Sequence, residues 1–436
     1  MSRLIAFCFL LLAAVLGFLH IDSRPVWAPF SEPSWESSLA SEGEDGQASS
    51  LITEPIAKGG KSTKANNATN TNNATNAPTS VTIPQPKLDW LPSTQAPSVH
   101  AASLVALKDG SIRAFWFAGS REGAPDVVIN SAVFDPKTAS WSDPTVVIDR
   151  VGMETGLSRY IAKLGNPVPA RLADGRLQLF VVTVSMGGWA GSSISSMISD
   201  DEGKSWGRPQ RFITSPFINL STLVKSPALT FADGRLGLPA YHEWIGRFGE
   251  LIRIEGSSAI DKRRMSSGRG SIQPAIFIDD GQKASAFFRQ TRSSSEVKKI
   301  PVSLTTNAGQ SWQVADDLDI ANPNSAVAAL SLKNGTRIMV LNNIEAGRHR
   351  LVMVMNRSGS SEWTVVQVLE DDEALPNEQR REFSYPFLLS ADGGDAHLVY
   401  TWDRKKIRHI YFPAAWLKQT QSELDKQPLV DSEGAR

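Results

Sequence analysis

The chain is predicted to be all-β: a six-bladed β-propeller behind an N-terminal membrane anchor and a disordered linker. Three observations carry this. Asp-Gly or Asn-Gly turns recur through the C-terminal three quarters of the sequence. A second turn element, "SDDEGKSW" at 199–206, recurs in degraded copies. The N-terminal part has a different composition, an apolar run followed by polar low-complexity sequence.

Composition sets the outer bounds. The 436 residues include 45 basic and 45 acidic side chains, so there is no global basic field for nucleic acid, and no nucleic-acid partner is expected. The single cysteine, Cys8, forbids an intrachain disulfide and Cys-rich zinc sites. The six histidines, at 20, 100, 242, 349, 397 and 409, show no close ligand spacing. Neither a metal site nor a cofactor is expected.

At the N-terminus, Arg3 precedes an uncharged apolar run from Leu4 to Leu19. The run has the length of a long signal-peptide core or a short anchor. The following "HIDSRPVWAPF" lacks the small-residue pair of a cleavage site, and Cys8 lies inside the apolar core rather than after it. Residues 1–21 are therefore expected to be an uncleaved signal-anchor, placing the bulk of the chain outside the cytoplasm and in partnership with a membrane. Arg24 on the far flank weakens the charge bias that sets orientation. The alternative is secretion after signal cleavage. Residues 22–94, with "SEGEDGQASS" and "NNATNTNNATNAP", offer almost nothing to bury and are expected to form a disordered linker.

The turns begin at Asp109, Asp174, Asp233, Asp280, Asn334 and Asp392, each between two strand-like apolar stretches. That is the strongest short-range hairpin signal. Six hairpins, with room for two further strands each, predict six four-stranded units over residues 95–413. Residues 414–436 are left as a polar tail.

"SDDEGKSW" could be a metal loop, an acid pair or a turn. Recurrence decides. "TTNAGQSW" at 305–312 has the same frame, and "NRSGSSEW" and "KTASWSDP" are eroded copies in the equivalent place, between third and fourth strands. Ser199, Asp201, Gly203 and Trp206, with Asn307, Gly309 and Trp312, are therefore structural: Asp or Asn bonds its own backbone, Gly takes a positive φ, and Trp is expected to be buried between units. Ser-x-Asp-x-Gly-x-Ser-Trp is the Asp-box. Together with "GSREGAPDV", "NPNS", "EFSYP" and "YTWDRKKIRH" it makes the region 95–413 similar to the BNR/Asp-box sialidase-like family, the bacterial neuraminidase-like group.

In a four-stranded meander the start of the first strand and the end of the second share one face, opposite the Asp-Gly turns and Asp-boxes. Candidate site residues therefore precede the first strands or follow the second. Before the first strands stand His100, Asn166, Lys225, Gln273, Asn324 and Tyr385, often followed by proline. After the second strands come loops bearing Arg121, Arg289 and Arg292, and Arg404, alongside "YHEWIGR" and "NNIEAGRHR". Arginine forks bind carboxylates bidentately, so several on one funnel point to an acidic sugar.

The resemblance implies more. Sialidases bind the sugar carboxylate with three arginines and use a tyrosine nucleophile, a glutamate helper and an aspartate acid, an exception among glycosidases. It implies Tyr385 as nucleophile, Glu382 or Glu243 as its base, Asp126 as acid, and Arg121, Arg289, Arg292, Arg404, His100 and Asn324 as substrate-binding residues. The Arg-Ile-Pro element of true sialidases is missing; "SVHAAS" with His100 stands there, so one arginine is lost unless Arg121 replaces it. The expected activity is exo-glycosidic release of a terminal acidic sugar, sialic acid or similar, from extracytoplasmic glycans. Two alternatives stand beside it. One is a polysaccharide lyase on uronate-containing glycans, using Tyr385 with His100 or His242. The other is a non-catalytic glycan-binding or scaffold propeller.

Overall fold

At all six Asp-Gly or Asn-Gly turns the glycine takes φ between 75° and 88°. The preceding Asp or Asn accepts from the backbone N–H two residues on, at 2.7–3.1 Å. The side chain and the left-handed glycine together close each hairpin. The computed structural model describes residues 83–427, apart from 216–218, 267–269, 293–297, 359 and 361, together with Cys8 and Leu12. The expected anchor at 1–21 and the linker up to residue 82 lie outside the described residues. Among the described residues no helix is long and apolar enough to cross a membrane.

The hairpins belong to six antiparallel sheets that follow one another along the chain as six propeller blades. Their inner strands are Ser98–Ala106, Lys163–Arg171, Leu223–Val224 with Leu229–Thr230, Ser271–Ile278, Ala328–Ser331 and Phe383–Leu389. Blade 6 is completed from the other end of the domain. The strand Lys87–Trp90 pairs with Lys406–Phe412, Lys87 opposite Tyr411 and Trp90 opposite Arg408, whose guanidinium lies 3.6 Å above the Trp90 ring. This strand was expected to be linker; a four-residue segment whose partner is some 320 positions away leaves no local signal. The expected polar tail is corrected too: Ala414–Lys426 is a helix that buries Leu417 and Leu424 against Leu398, Tyr400 and Phe412.

The apolar core among the described residues is six clusters, each lying mainly between two neighbouring blades. Phe115 and Ile129 of blade 1, for example, meet Leu177 and Leu179 of blade 2. The Asp-box tryptophans finish these seams. Trp206 packs edge-on to Phe115 of the preceding blade at 5.8 Å, and Trp363 stacks on Phe277 of its preceding blade at 5.6 Å. Trp312 packs into the seam containing Phe231 and Leu251. Trp206 and Trp312 sit between blades as expected, but half-buried rather than buried.

Both complete Asp-boxes share one hydrogen-bond pattern. The Ser199 hydroxyl accepts from Gly203 N–H at 2.7 Å and donates to Asp201, which accepts from Ser205 N–H at 2.9 Å and from its hydroxyl at 2.6 Å. Thr305, Gly309, Asn307 and Ser311 repeat this pattern, with the Asn307 amide donating to Ser311. The Ser205 hydroxyl, followed by the Ser205 N–H, pulls the Asp201 carboxyl down to about 2. Three hydrogen bonds of the turn commit both Asp201 oxygens to its own backbone and hydroxyl groups.

Candidate active site

The inner strands do not run straight to the axis. Blades 1, 2, 4 and 6 each slip register, between His100 and Ser103, Gly165 and Pro167, Ile272 and Ala275, and Ser384 and Phe387. At or beside these bulges Ala101, Gln273 and Tyr385 have φ of 55°, 51° and 55°, and Asn324, just before the blade 5 strand, has 63°. Left-handed backbone at non-glycine residues is costly, and repeated strain of this kind clusters at functional sites. In blade 3 the inner strand breaks between Val224 and Leu229, and Lys225 lies in the gap. The positions found by reading the sequence as strand starts are bulges that carry side chains toward the axis.

Tyr385, from blade 6, meets Gln273 of blade 4: the Gln273 amide N–H donates to the Tyr385 hydroxyl at 3.0 Å and to Tyr241 of blade 3 at 3.2 Å. The Gln273 carbonyl accepts from Arg289 Nη1 at 3.3 Å, while Arg289 Nε donates to Asn324 Oδ1 at 2.7 Å. Asn324 also takes Arg348 Nη2 on its backbone carbonyl at 3.1 Å. Four blades are thus joined by one hydrogen-bonded network. Among the described residues no carboxylate pairs with Arg289.

Glu382 is the anionic hub on the other side. It accepts from Arg348 at 3.0 Å, from Arg404 at 3.1 and 3.3 Å and from the Ser384 hydroxyl at 2.6 Å. Burial pushes its carboxyl up, but Ser384 and the two guanidinium groups outweigh this and hold it at about 2. Arg404 also pairs with Glu122 of blade 1. A cavity of about 510 Å³ opens beside Arg348 and Glu382, lined also by His349, Arg380 and Arg381.

Three further titratable groups lie on or beside this network. Burial raises the Glu243 carboxyl, against the opposing charges of Arg289 and Arg247, and the charge of Glu122 adds to the rise. Lys225 is fully buried and its ammonium donates to the Pro386 carbonyl across the axis. Burial, with the charge of Arg289, brings it down to about 7. Burial likewise raises the Tyr241 phenol, with Tyr385 and Glu243 contributing.

The expected residues divide by where the structure places them. His100 is 1 % exposed, bonded to Thr401 at 2.9 Å and packed 4.2 Å from the Tyr385 ring; it supports the tyrosine from beneath and cannot touch a substrate in this arrangement. Arg121 is exposed on its loop, and Arg292 is paired with Asp317 at the outer part of blade 4. Asp126 is exposed, both its oxygens held by the Ser120 N–H and hydroxyl at 2.9 Å. In that loop it is Glu122 that reaches the arginines. His242 accepts from Ile245 N–H at 3.1 Å and stacks on Phe248 at 4.8 Å, so neither His242 nor His100 is placed as the lyase base. Gln273, noted as a strand-start position, joins the network with Arg348, Tyr241 and Glu122, which were not singled out, and Lys225, noted in the same way, lies beside it. Arg348 had a signal, its place on "NNIEAGRHR" after a second strand, but Gln273 is a neutral amide in a strand-starting position and carries none by itself.

The class of protein is therefore a six-bladed, Asp-box propeller with a basic and tyrosine-bearing axial site. The sequence pattern of the BNR repeat-like domain matches residues 110–398, and the chain belongs to that family. Its fold is similar to a protein of unknown function from Dyadobacter fermentans (11% identity, TM-score 0.58, covering 76% of this chain and 100% of that one). It is also similar to the Trypanosoma rangeli sialidase (13%, 0.60, 79% and 62%) and the K499G mutant of the NanB sialidase from Streptococcus pneumoniae (12%, 0.57, 74% and 69%). Comparison with curated protein sequences finds no match.

Proposed function

We propose that this chain is an exo-glycosidase that releases a terminal acidic sugar, sialic acid or a close analogue, from glycans outside the cytoplasm, carried there by its N-terminal segment. The observation that carries the reading is the unbalanced charge around Tyr385. Arg404 is answered by Glu382 and Glu122 and Arg348 by Glu382, whereas the half-buried Arg289 has no carboxylate partner among the described residues, and Lys225, at about 7, adds part of a further positive charge. A buried cation without a counter-ion is expensive; a substrate carboxylate would supply the missing charge.

In this reading Arg289 and Arg348 receive the carboxylate. The Tyr385 oxygen, uncharged in the resting state, approaches the anomeric carbon without repelling that carboxylate, and Glu243 takes the phenol proton. The leaving oxygen needs a proton in return. Of the two carboxylates on loop 119–127, Glu122 is committed to Arg404 and Asp126 only to the neutral Ser120, so Asp126 is the donor, released from Ser120 as the loop meets the glycan. Water then cleaves the tyrosyl intermediate. The relatives named as sialidases support the reading, and the sialidase of Trypanosoma rangeli has been seen with sialic acid.

The test is a panel of sialosides and uronate polymers. Release of free acidic sugar supports the proposal. An unsaturated uronate product would make the protein a lyase, and binding without turnover would leave it a lectin-like scaffold. The anchoring part is tested by fractionation: the native protein, starting before residue 20, is expected in the membrane fraction and accessible to an impermeant label.

A further inference from the structure

Gln273 lies at the centre of the network, is 2 % exposed and makes three side-chain bonds from one amide. Which end of that amide faces which neighbour follows from Arg289. A guanidinium has only donors, so the Gln273 atom 3.3 Å from Arg289 Nη1 must be the oxygen. The nitrogen must then face the two phenols, offering one hydrogen to Tyr385 and one to Tyr241. Arg289 is itself fixed by Asn324, so turning the amide over would set its NH₂ against a guanidinium that can only donate.

We propose that Gln273 is a positioning residue that sets the polarity of the Tyr385 hydroxyl. Because the oxygen accepts from Gln273, its own proton must point elsewhere, toward the open side of the site where a base can take it. The same N–H then stabilises negative charge on the oxygen, both as the proton leaves and when the tyrosyl bond is broken. The His100 ring beneath holds the phenol plane while Gln273 sets its hydrogen. Arg289 gains a second role, since binding a substrate carboxylate on it tightens or loosens its hold on the Gln273 carbonyl and so couples recognition to the nucleophile. The kinetic part of this inference rests on the hydrolase reading; the hydrogen-bond polarity does not.

The experiment uses the full chain labelled with ¹⁵N in glutamine side chains, the Gln273 NH₂ signals being assigned by their loss in Q273E. One of the two hydrogens is expected to shift in Y385F and the other in Y241F. Q273M, which keeps bulk but has no donor, is expected to lower kcat on an acidic glycoside by about 100-fold with KM little changed, the effect of removing one preorganised donor. Should Q273M fail to fold, Q273L, which likewise has no donor, serves in its place. Signals that ignore Y385F, or an undiminished kcat in the folded variant, overturn the proposal. If the native chain turns over no acidic glycoside, the hydrolase reading falls, and the resonance shifts still decide the polarity of the amide.

Discussion

Glu382→Gln removes one charge from the hub while leaving its shape. The native carboxylate accepts four bonds, three of them from guanidinium groups. Its shift from 4.5 to about 2 corresponds to roughly 3.5 kcal/mol at about 1.4 kcal/mol per unit. The side chain is 30% exposed, and solvent screening reduces the expected cost to about 2 kcal/mol. The sign with pH follows from the depressed value. The contribution is complete above the unfolded carboxyl's 4.5 and is lost as pH falls through the folded value near 2. Denaturant unfolding of native and E382Q protein should thus differ by about 2 kcal/mol at pH 7 and by about half that at pH 3. A difference that stays constant between the two pH values would refute the electrostatic hub and leave only a shape effect.

Arg289→Ala should weaken binding of an acidic sugar by about 1.5–3 kcal/mol, the worth of a charged hydrogen bond, and leave a neutral sugar nearly unaffected; calorimetric titration of both ligands checks this, and Arg121→Ala should change the binding of neither sugar. Asp126→Asn should slow glycosides with poor leaving groups far more than activated aryl glycosides, because only the former need a proton on the departing oxygen; equal slowing in a comparison of the two substrates would remove Asp126 from the role. Lys225 is depressed from 10.5 to about 7 in the fold, so the chain gains stability as pH rises from about 7 to 10.5. Lys225→Met should accordingly stabilise at pH 6 and by less at pH 10, as read by denaturant midpoints.

What the sequence revealed was local chemistry repeated. An Asp-Gly turn is decided by four residues, and six copies announce themselves. Proline after Asn166, Gln273 and Tyr385 marked the axial bulges for the same reason. The closing strand Lys87–Trp90 was illegible because its only evidence is its pairing with Lys406–Phe412. In the site, position on the correct face was readable, but commitment was not. Arg404, Arg292 and Arg348 are alike in sequence; folding within the blades gives Arg292 to Asp317 and Arg404 to Glu382 and sets Arg348 beside Asn324, and only ring closure brings Arg404 to Glu122. Glu122 and Asp126 are four positions apart, and which of them reaches Arg404 depends on loop 119–127 folding back onto Ser120.

The central claim is that the Tyr385 oxygen attacks the anomeric carbon of an acidic sugar. Reaction of the native chain with a fluorinated sialyl fluoride, which forms the sugar–enzyme bond faster than water breaks it, followed by peptide mass mapping, tests it most directly. The account predicts one added sugar mass on the peptide carrying Tyr385, absent in Tyr385→Phe. An adduct on Glu243 or Asp126, or an unmodified protein that still hydrolyses sialosides, would contradict it.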